Sequence, residues 1–333
     1  MQVRPFFLPL VALAALGLAG CSTTAASPAA SPSASPSATE TSSTVSVDNC
    51  GFDLTVETPP ERIMTIKSTS TETLLALGLG DRIIGTAFPD GPVPEEWATA
   101  AEDIPVISDF APSQEAVLAL EPDFVYGGWE SNFTAEAAGE RSTLDSLGIG
   151  SYVSPAACKE EGYKPASLTF DLLFDEIAEA GRVFGAEDAA TQLIATQSAQ
   201  LDTITPDDRG LSALWYSSGT DVPYVGAGIG APQMMLDQLG VTNVAADVAD
   251  TWSSLSWEAI VDADPDVIVL VDASWNTAES KVALLESNPA TSELTAVKNG
   301  SYLTIPFAAG EAGVRNVEAT ADLAAQLTAL EIP

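Results

Sequence analysis

The residues best placed to do chemistry lie in Lys67-Ser68-Thr69-Ser70-Thr71-Glu72. A lysine and four hydroxyls follow an apolar run, Ile63-Met64-Thr65-Ile66, and open a helical pattern. Thr69 and Glu72 are spaced as a capping box. Backbone N–H groups, the helix dipole and an ammonium would together attract an anion there. Two readings stay open: an anion site built from Lys67, Ser68 and Thr69, or a well-capped surface turn with Lys67 in water. Bases are scarce, 12 against 47 acids, which gives weight to a lysine at the end of a buried strand. Arg315, in Gly313-Val314-Arg315-Asn316, is a second candidate, or else a surface arginine at a helix start. Arg141 is a third, unless Glu140 simply pairs with it. Aromatics outside any periodic pattern supply a second ingredient: Trp129, Tyr216, Tyr224, Trp252, Trp275 and Phe307. Loop rings of this kind stack on flat ligands or complete the packing.

What is missing narrows the chemistry further. The chain has no histidine. The commonest general base and the commonest transition-metal ligand are thereby absent. No Ser-His pair, cysteine nucleophile with a base, or metal-ligand cluster can be read, so an enzyme is not expected, and neither is a cofactor. A two-lobed chelatase-like enzyme is the alternative of another class. A formal charge of −35 argues against nucleic acid and against an anionic membrane surface as partners.

The elements that would position these residues alternate. The first half reads strand 62–66, helix 71–77, strand 83–85, helix 114–120, strand 124–126, helix 141–147 and strand 151–153. The second reads strand 211–216, helix 232–239, helix 257–261, strand 267–271, strand 302–305 and helix 317–330, with a further helix at 191–201. Alternation of this kind predicts an α/β fold with largely parallel sheets. The halves also repeat each other. Ser113-Gln-Glu-Ala-Val-Leu-Ala-Leu-Glu-Pro-Asp-Phe-Val125 matches Ser256-Trp-Glu-Ala-Ile-Val-Asp-Ala-Asp-Pro-Asp-Val-Ile268 in its serine, its glutamate two residues on, its apolar turn and its acid-Pro-Asp stop. Between the halves, Ser167 to Gly185 carries an apolar stripe of Phe170, Leu173, Phe174, Ile177, Gly181 and Phe184. The spacing is that of one amphipathic helix, with Ser167 as N-cap and Gly185 as the stop.

The ends of the chain add a context. Residues 1–20 read as a signal peptide, with Arg4 ahead of an apolar run. Leu18-Ala19-Gly20-Cys21 resembles the bacterial lipobox, which implies that Cys21 is lipidated and becomes the mature N-terminus. Residues 21–46, dominated by Ser, Thr, Ala and Pro, read as a tether without a core of its own. Cys50 and Cys158 remain as an even pair in an exported chain, read as a disulfide with two free thiols as the alternative.

From Cys50 onward the order of these pieces resembles the cluster-A substrate-binding proteins of ABC importers, the iron-siderophore and cobalamin type. The resemblance rests on 62–78, the E-A-V-L-A-L-E-P-D block, Leu147-Gly148-Ile149, the central helix, Leu239-Gly240-Val241 and the W-E-A-I-V-D-A-D-P-D-V block. It implies two Rossmann-like lobes, 47–166 and 186–333, joined by the helix at 167–185, with the ligand cleft between them (periplasmic-binding-protein class III). It also implies that the lobes move little on binding. Partners would be an ABC permease and ATPase, with membrane contact only through the N-terminal lipid, for a monomer on the outer face of the cytoplasmic membrane. Glu115 and Glu258 fall where this family docks onto permease arginines; each would equally complement a helix dipole. The stretches 50–56, 65–72 and 85–92 look most like an actinobacterial subgroup proposed to bind a deazaflavin coenzyme precursor. A flat ring, a polyol and anionic groups would suit the aromatics, hydroxyls, Lys67 and Arg315. Ferric siderophores are the rival ligands.

Overall fold

The computed structural model describes residues 44–332. The expected signal peptide, Cys21 and most of the expected tether lie outside these residues. The tether does end earlier than its composition suggests, because Val45 and Ser46 already belong to a strand.

The chain begins with a hairpin, β1 (Val45–Asn49) and β2 (Phe52–Val56). Its two-residue loop is Cys50-Gly51, with φ of 54° and 76°. Positive φ at both positions is what a type I′ hairpin turn demands, and glycine meets that demand without strain. Next come β3 (Ile63–Ile66), α1 (Ser68–Ala76), β4 (Ile83–Ala87), α2 (Glu95–Ala101), β5 (Val106–Ser108), α3 (Gln114–Leu118), β6 (Phe124–Gly127), α4 (Arg141–Ser146) and β7 (Gly150–Val153). The five later strands form a parallel sheet in the order β5-β4-β3-β6-β7.

α5 (Phe170–Phe184) follows, then α6 (Glu187–Leu201). The remainder is β8 (Ser212–Ser218), β9 (Tyr224–Gly226), α7 (Ala231–Leu239), β10 (Thr242–Asn243), β11 (Trp252–Ser254), α8 (Trp257–Ala263), β12 (Val267–Asp272), α9 (Ala278–Ser287), α10 (Thr295–Asn299), β13 (Tyr302–Pro306) and α11 (Asn316–Ala329). This sheet runs β11-β9-β8-β12-β13, with β10 beside β8. It is mixed: β9 is antiparallel to both β8 and β11. The reason is local. Only five residues separate β8 from β9, with Gly219 at φ 87° among them, and so short a connection returns the chain antiparallel.

The connector helix differs from the sequence reading at its start. Thr169, not Ser167, is the N-cap, its side chain accepting from Leu172 N at 3.2 Å. Gly185 closes the helix in the left-handed region, as its position suggests. Its 15 residues span about 22 Å at 1.5 Å per residue. The apolar stripe is buried. Gly181 sits where α5 meets α6, and a Cβ there would stand 2.5 Å from that of Ala190.

Burial explains how the parts cohere. One hydrophobic cluster takes in Ile63, Leu74 and Phe124 of the first lobe, Phe174 and Phe184 of α5, and Trp215, Val269 and Leu327 of the second. Each sheet's other face has its own cluster, around Met64, Val125 and Val153 in one lobe and Leu214, Tyr216 and Ile268 in the other. Strand residues alternate between the shared and the separate clusters, as a period of two requires. Sheets covered on both faces read as continuous apolar runs.

Candidate functional site

The carboxyl ends of the strands in both lobes face one cavity of about 280 Å³. In sheets of this kind ligands lie beyond the carboxyl ends of the strands. Trp129 follows β6, and Ser154 follows β7. From the second lobe come Tyr224 of β9, Trp252 of β11, and Phe307 with Glu311 after β13. Tyr224 and Trp252 stack, with centroids 6.2 Å apart and planes 15° apart. Opposite them, Trp129 packs edge-on against Phe88 at 5.6 Å. Aromatic surface therefore comes from both lobes.

Of the residues singled out above, Thr69, Trp129, Tyr224, Trp252 and Phe307 line this cavity. Trp275 stands beside it, packed on Phe307 at 5.9 Å and 65% exposed. The turn carrying Trp275 is held from below by Lys281, whose buried ammonium donates to Val271 O and Asn276 O.

Lys67 is not the free cation that the sequence suggests. It is 1% exposed and forms an ion pair with Asp90. Asp90 in turn accepts from Ser68 N at 3.2 Å, and Ser68 Oγ accepts from Asp90 N at 2.8 Å. Ser68 is thus committed to Asp90 and takes no part in the lining. The Lys67 ammonium lies 3.6 Å from the Trp129 ring centroid, 4.2 Å from that of Phe88 and 5.5 Å from that of Phe307. It organises the aromatic wall from behind by cation–π attraction. Lys67 itself is the N-cap residue of α1, at φ 83° and without a side-chain cap, so the expected Thr69–Glu72 capping box does not form. Phe88 also has a positive φ, 54°. Non-glycine residues in this region cost of order 1–3 kcal/mol and concentrate where surrounding contacts fix them.

Arg315 is likewise spent. Its Nε and Nη2 hold both oxygens of Glu72, and Nη2 also donates to Pro92 O at 3.0 Å. The pair joins α11 to α1 across the two lobes. Burial outweighs the guanidinium and raises the Glu72 carboxyl above its ordinary range; it does the same to Asp90 against Lys67. Arg141 lies away from the cavity. It donates to Asn49 O at 2.6 Å and Ser151 O at 2.9 Å, and stacks on Phe52 at 4.4 Å. It fastens the β1–β2 hairpin to β7 instead of pairing with Glu140, and burial lowers its pKa to about 10. Tyr216 is buried on the far face of its sheet, donating to Gly219 O at 2.7 Å and packed against Trp257.

The sequence reading overlooked several polar residues of the lining, Glu311, Lys159 and Ser154 among them. Glu311 Oε2 accepts from Trp129 Nε1 at 3.1 Å, a contact between lobes. Burial pushes its carboxyl up to about 7, with Asp90 adding to the rise and Lys67, the Trp129 hydrogen bond and Lys159 opposing it. Lys159, at the rim, donates to Thr251 Oγ1 at 3.1 Å and lies 3.5 Å from Asp250. Ser154 Oγ shares a hydrogen bond of 3.2 Å with Tyr126. Behind the short 3₁₀ turn Pro155–Ala157, Glu176 of α5 is pushed to about 8 by burial, against a hydrogen bond from the Ala156 backbone. Glu311 follows the short 3₁₀ turn Phe307–Gly310, which shows no periodicity, so nothing in the sequence marks it except its place after the last strand. Among the described residues no group of three or more acids or cysteines could hold a metal ion.

Two further expectations concern the surroundings of the cleft. Cys50 and Cys158 form a disulfide, with Cα atoms 5.3 Å apart. It ties the hairpin tip to the residue preceding Lys159. Glu115 and Glu258 are exposed in the first turns of α3 and α8, one on each lobe. Ser113 and Ser256 cap these turns, accepting from Ala116 N and Ala259 N.

Comparison with known proteins agrees with this architecture. The ABC transporter substrate-binding lipoprotein YvrC of Bacillus subtilis is 28% identical over 97% of this chain and 97% of its own length. A cobalamin-binding protein of Halobacterium salinarum is 27% identical over 76% of this chain and 65% of its own. Among solved structures, a periplasmic binding protein from Veillonella parvula superposes with a TM-score of 0.76 at 25% identity, over 85% of this chain and 97% of that one. A protein of an ABC-type Fe3+-hydroxamate transport system from Saccharomonospora viridis gives 0.72 at 26%, over 86% and 99%. Heme-binding proteins such as HutB of Vibrio cholerae share the fold at 19% identity. The periplasmic binding protein family model matches residues 63–309, most of the described chain, and the chain belongs to that family.

Proposed function

We propose that this protein is the substrate-binding lipoprotein of an ABC importer, held outside the cytoplasmic membrane by a lipid on Cys21, and that it captures a flat aromatic molecule. The observation that carries the ligand class is the cavity walled by Trp129 from one lobe and by Trp252, Tyr224 and Phe307 from the other. Its volume of about 280 Å³ is at the small end of the range for ligand sites, which suits a fused ring held on both faces. The ring of a deazaflavin coenzyme precursor has that shape. Its anionic arm would lie outward, toward Lys159 at the rim, since Lys67 and Arg315 are already neutralised. Glu115 and Glu258 would meet arginines of the permease, one from each lobe.

A second reading is favoured by the relatives. Proteins named for cobalamin and for ferric hydroxamate lie among them, so a corrinoid or ferric siderophore resting across the open mouth is the rival ligand.

The test is to purify the intact protein and record the absorbance and mass of what copurifies, then titrate deazariboflavin against tryptophan fluorescence. Quenching that saturates, and that weakens by about 1–2 kcal/mol in Trp129→Ala, is the expected result. A corrinoid spectrum or ferric band, with no quenching by deazariboflavin, would replace the deazaflavin reading by its rival.

A further inference from the structure

We infer that Glu311 is the polar reading group of the cleft, and that it selects a ligand presenting a hydrogen-bond donor, such as an imide or amide N–H, at the ring edge. This rests on the preceding reading only in taking the cavity as the ligand site.

The argument begins with charge. Of the cations near the cavity, Lys67 is matched by Asp90 and Arg315 by Glu72. Glu311 has no such counterpart. Its Oε2 accepts from Trp129, and among the described residues no donor reaches Oε1. A carboxyl with an open oxygen, set among aromatic rings, is an acceptor awaiting a donor. The cavity itself supplies the second observation: Glu311 lines it together with Trp129, Tyr224, Trp252 and Phe307. The Thr69 hydroxyl takes no part, because its Oγ1, although without a hydrogen-bond partner, is closed in against Gly128, where no Cβ would fit. A ring sandwiched between the aromatic walls would present its edge to Glu311.

Sites built to hydrogen-bond a donor reject analogues lacking it far more strongly than apolar sites reject a missing methylene. The ionised form of Glu311 is the stronger acceptor. The charged or titratable groups that face it are Lys67, Asp90 and Lys159, with Tyr224 and Glu130 on the same lining. Its carboxyl titrates at about 7, so donor binding should weaken as pH falls through that value.

The experiment compares wild type with Glu311→Gln, which keeps an acceptor for Trp129 but removes the charge. The probes are deazariboflavin, its imide N-methyl analogue, cyanocobalamin and a ferric hydroxamate, each titrated from pH 8 to pH 6. The expected result is a preference of at least about tenfold for the N–H probe over its N-methyl analogue. That preference should fall with pH in the wild type and be small and flat in Glu311→Gln. If deazariboflavin does not bind but cyanocobalamin does, with the same dependence on Glu311 and pH, the ring identity proposed above fails and this inference stands. Any probe that binds both proteins equally, with identical pH profiles, overturns it. Should no probe bind the wild type, the free protein decides. A tryptophan fluorescence transition near pH 7 that vanishes in Glu311→Gln supports the role of Glu311, and its absence from the wild type overturns it.

Discussion

At the scale of single residues, the charges are spent on structure more than on the ligand. Arg315 is the clearest case. The sequence places it at the right end of the right strand, and its location is indeed between the lobes. Its partner Glu72 lies 243 residues away in the chain, and no local pattern announces that pairing. The same holds for Lys67 and Asp90. Expected consequences follow from burial. Arg315→Ala would leave the Glu72 carboxylate buried without its counter-ion, costing about 3–5 kcal/mol in chemical denaturation. Replacing Arg315 with Met and Glu72 with Leu together should recover most of that loss. An Arg315→Ala protein of unchanged stability and weakened ligand binding would return the arginine to the ligand. The aromatic part of the site was more legible. Trp129, Tyr224, Trp252 and Phe307 stood out because no helix or strand period claimed them. Tyr216 misled because its strand alternates: Trp215 belongs to the core shared between the lobes, and Tyr216 with Leu214 to the far face.

At the scale of elements, the repeat in the sequence proved informative. The two serine-capped turns, α3 and α8, occupy equivalent places in the two lobes, and each presents one exposed glutamate. Replacing Glu115 and Glu258 together with Ala should abolish uptake in cells while leaving ligand affinity in the purified protein unchanged. Full uptake by the double variant would discard the docking role. The disulfide acts on another element, the segment leading from β7 to α5. It closes a loop of 108 residues, and Cys158 directly precedes the cleft residue Lys159. Cys50→Ser with Cys158→Ser should lower stability by about 2–5 kcal/mol, read from the denaturant midpoint. The affinity should fall as well, since that rim would no longer be fixed. Short pieces were illegible beforehand. β9 and β11 form a ribbon whose order depends on a tight turn and on pairing between distant residues, and glycine-rich sequence alone reads as a loop there. The helix α1 starts at Ser68, three residues before the start at 71 that the sequence suggests, because buried hydroxyls fill its first turns.

At the scale of the whole molecule, acid groups set the response to pH. Burial raises Glu311 to about 7 and Glu176 to about 8 from the ordinary 4.5. Folding therefore favours their protonated forms. The stability linked to them is fully present below the unfolded value and is lost as pH rises through 7 and 8. A formal charge of −35 works in the same direction by self-repulsion. The melting temperature should fall between pH 6 and pH 8, less steeply in Glu311→Gln and in added salt. Lys281, lowered to about 8 by burial, opposes this trend only above that pH, where the folded state favours its neutral form. A melting temperature that climbs steadily from pH 6 to pH 8 would contradict this assignment. Two α/β halves and their joining helix were readable from periodicity alone, since long apolar patterns survive tertiary context. Where the lobes touch was not, because it depends on pairs brought together only by folding.

The hydrophobic cluster running through both lobes and α5 has a consequence for traffic at the membrane. Because each lobe leans on the same core, an empty copy and a loaded copy would offer a permease nearly the same outline. Unloaded molecules should then compete for the transporter, and an excess of a cleft-dead variant such as Trp129→Ala with Trp252→Ala should slow import by the wild type. How much ligand enters would depend on the proportion of copies that are filled, and not only on how many copies are made.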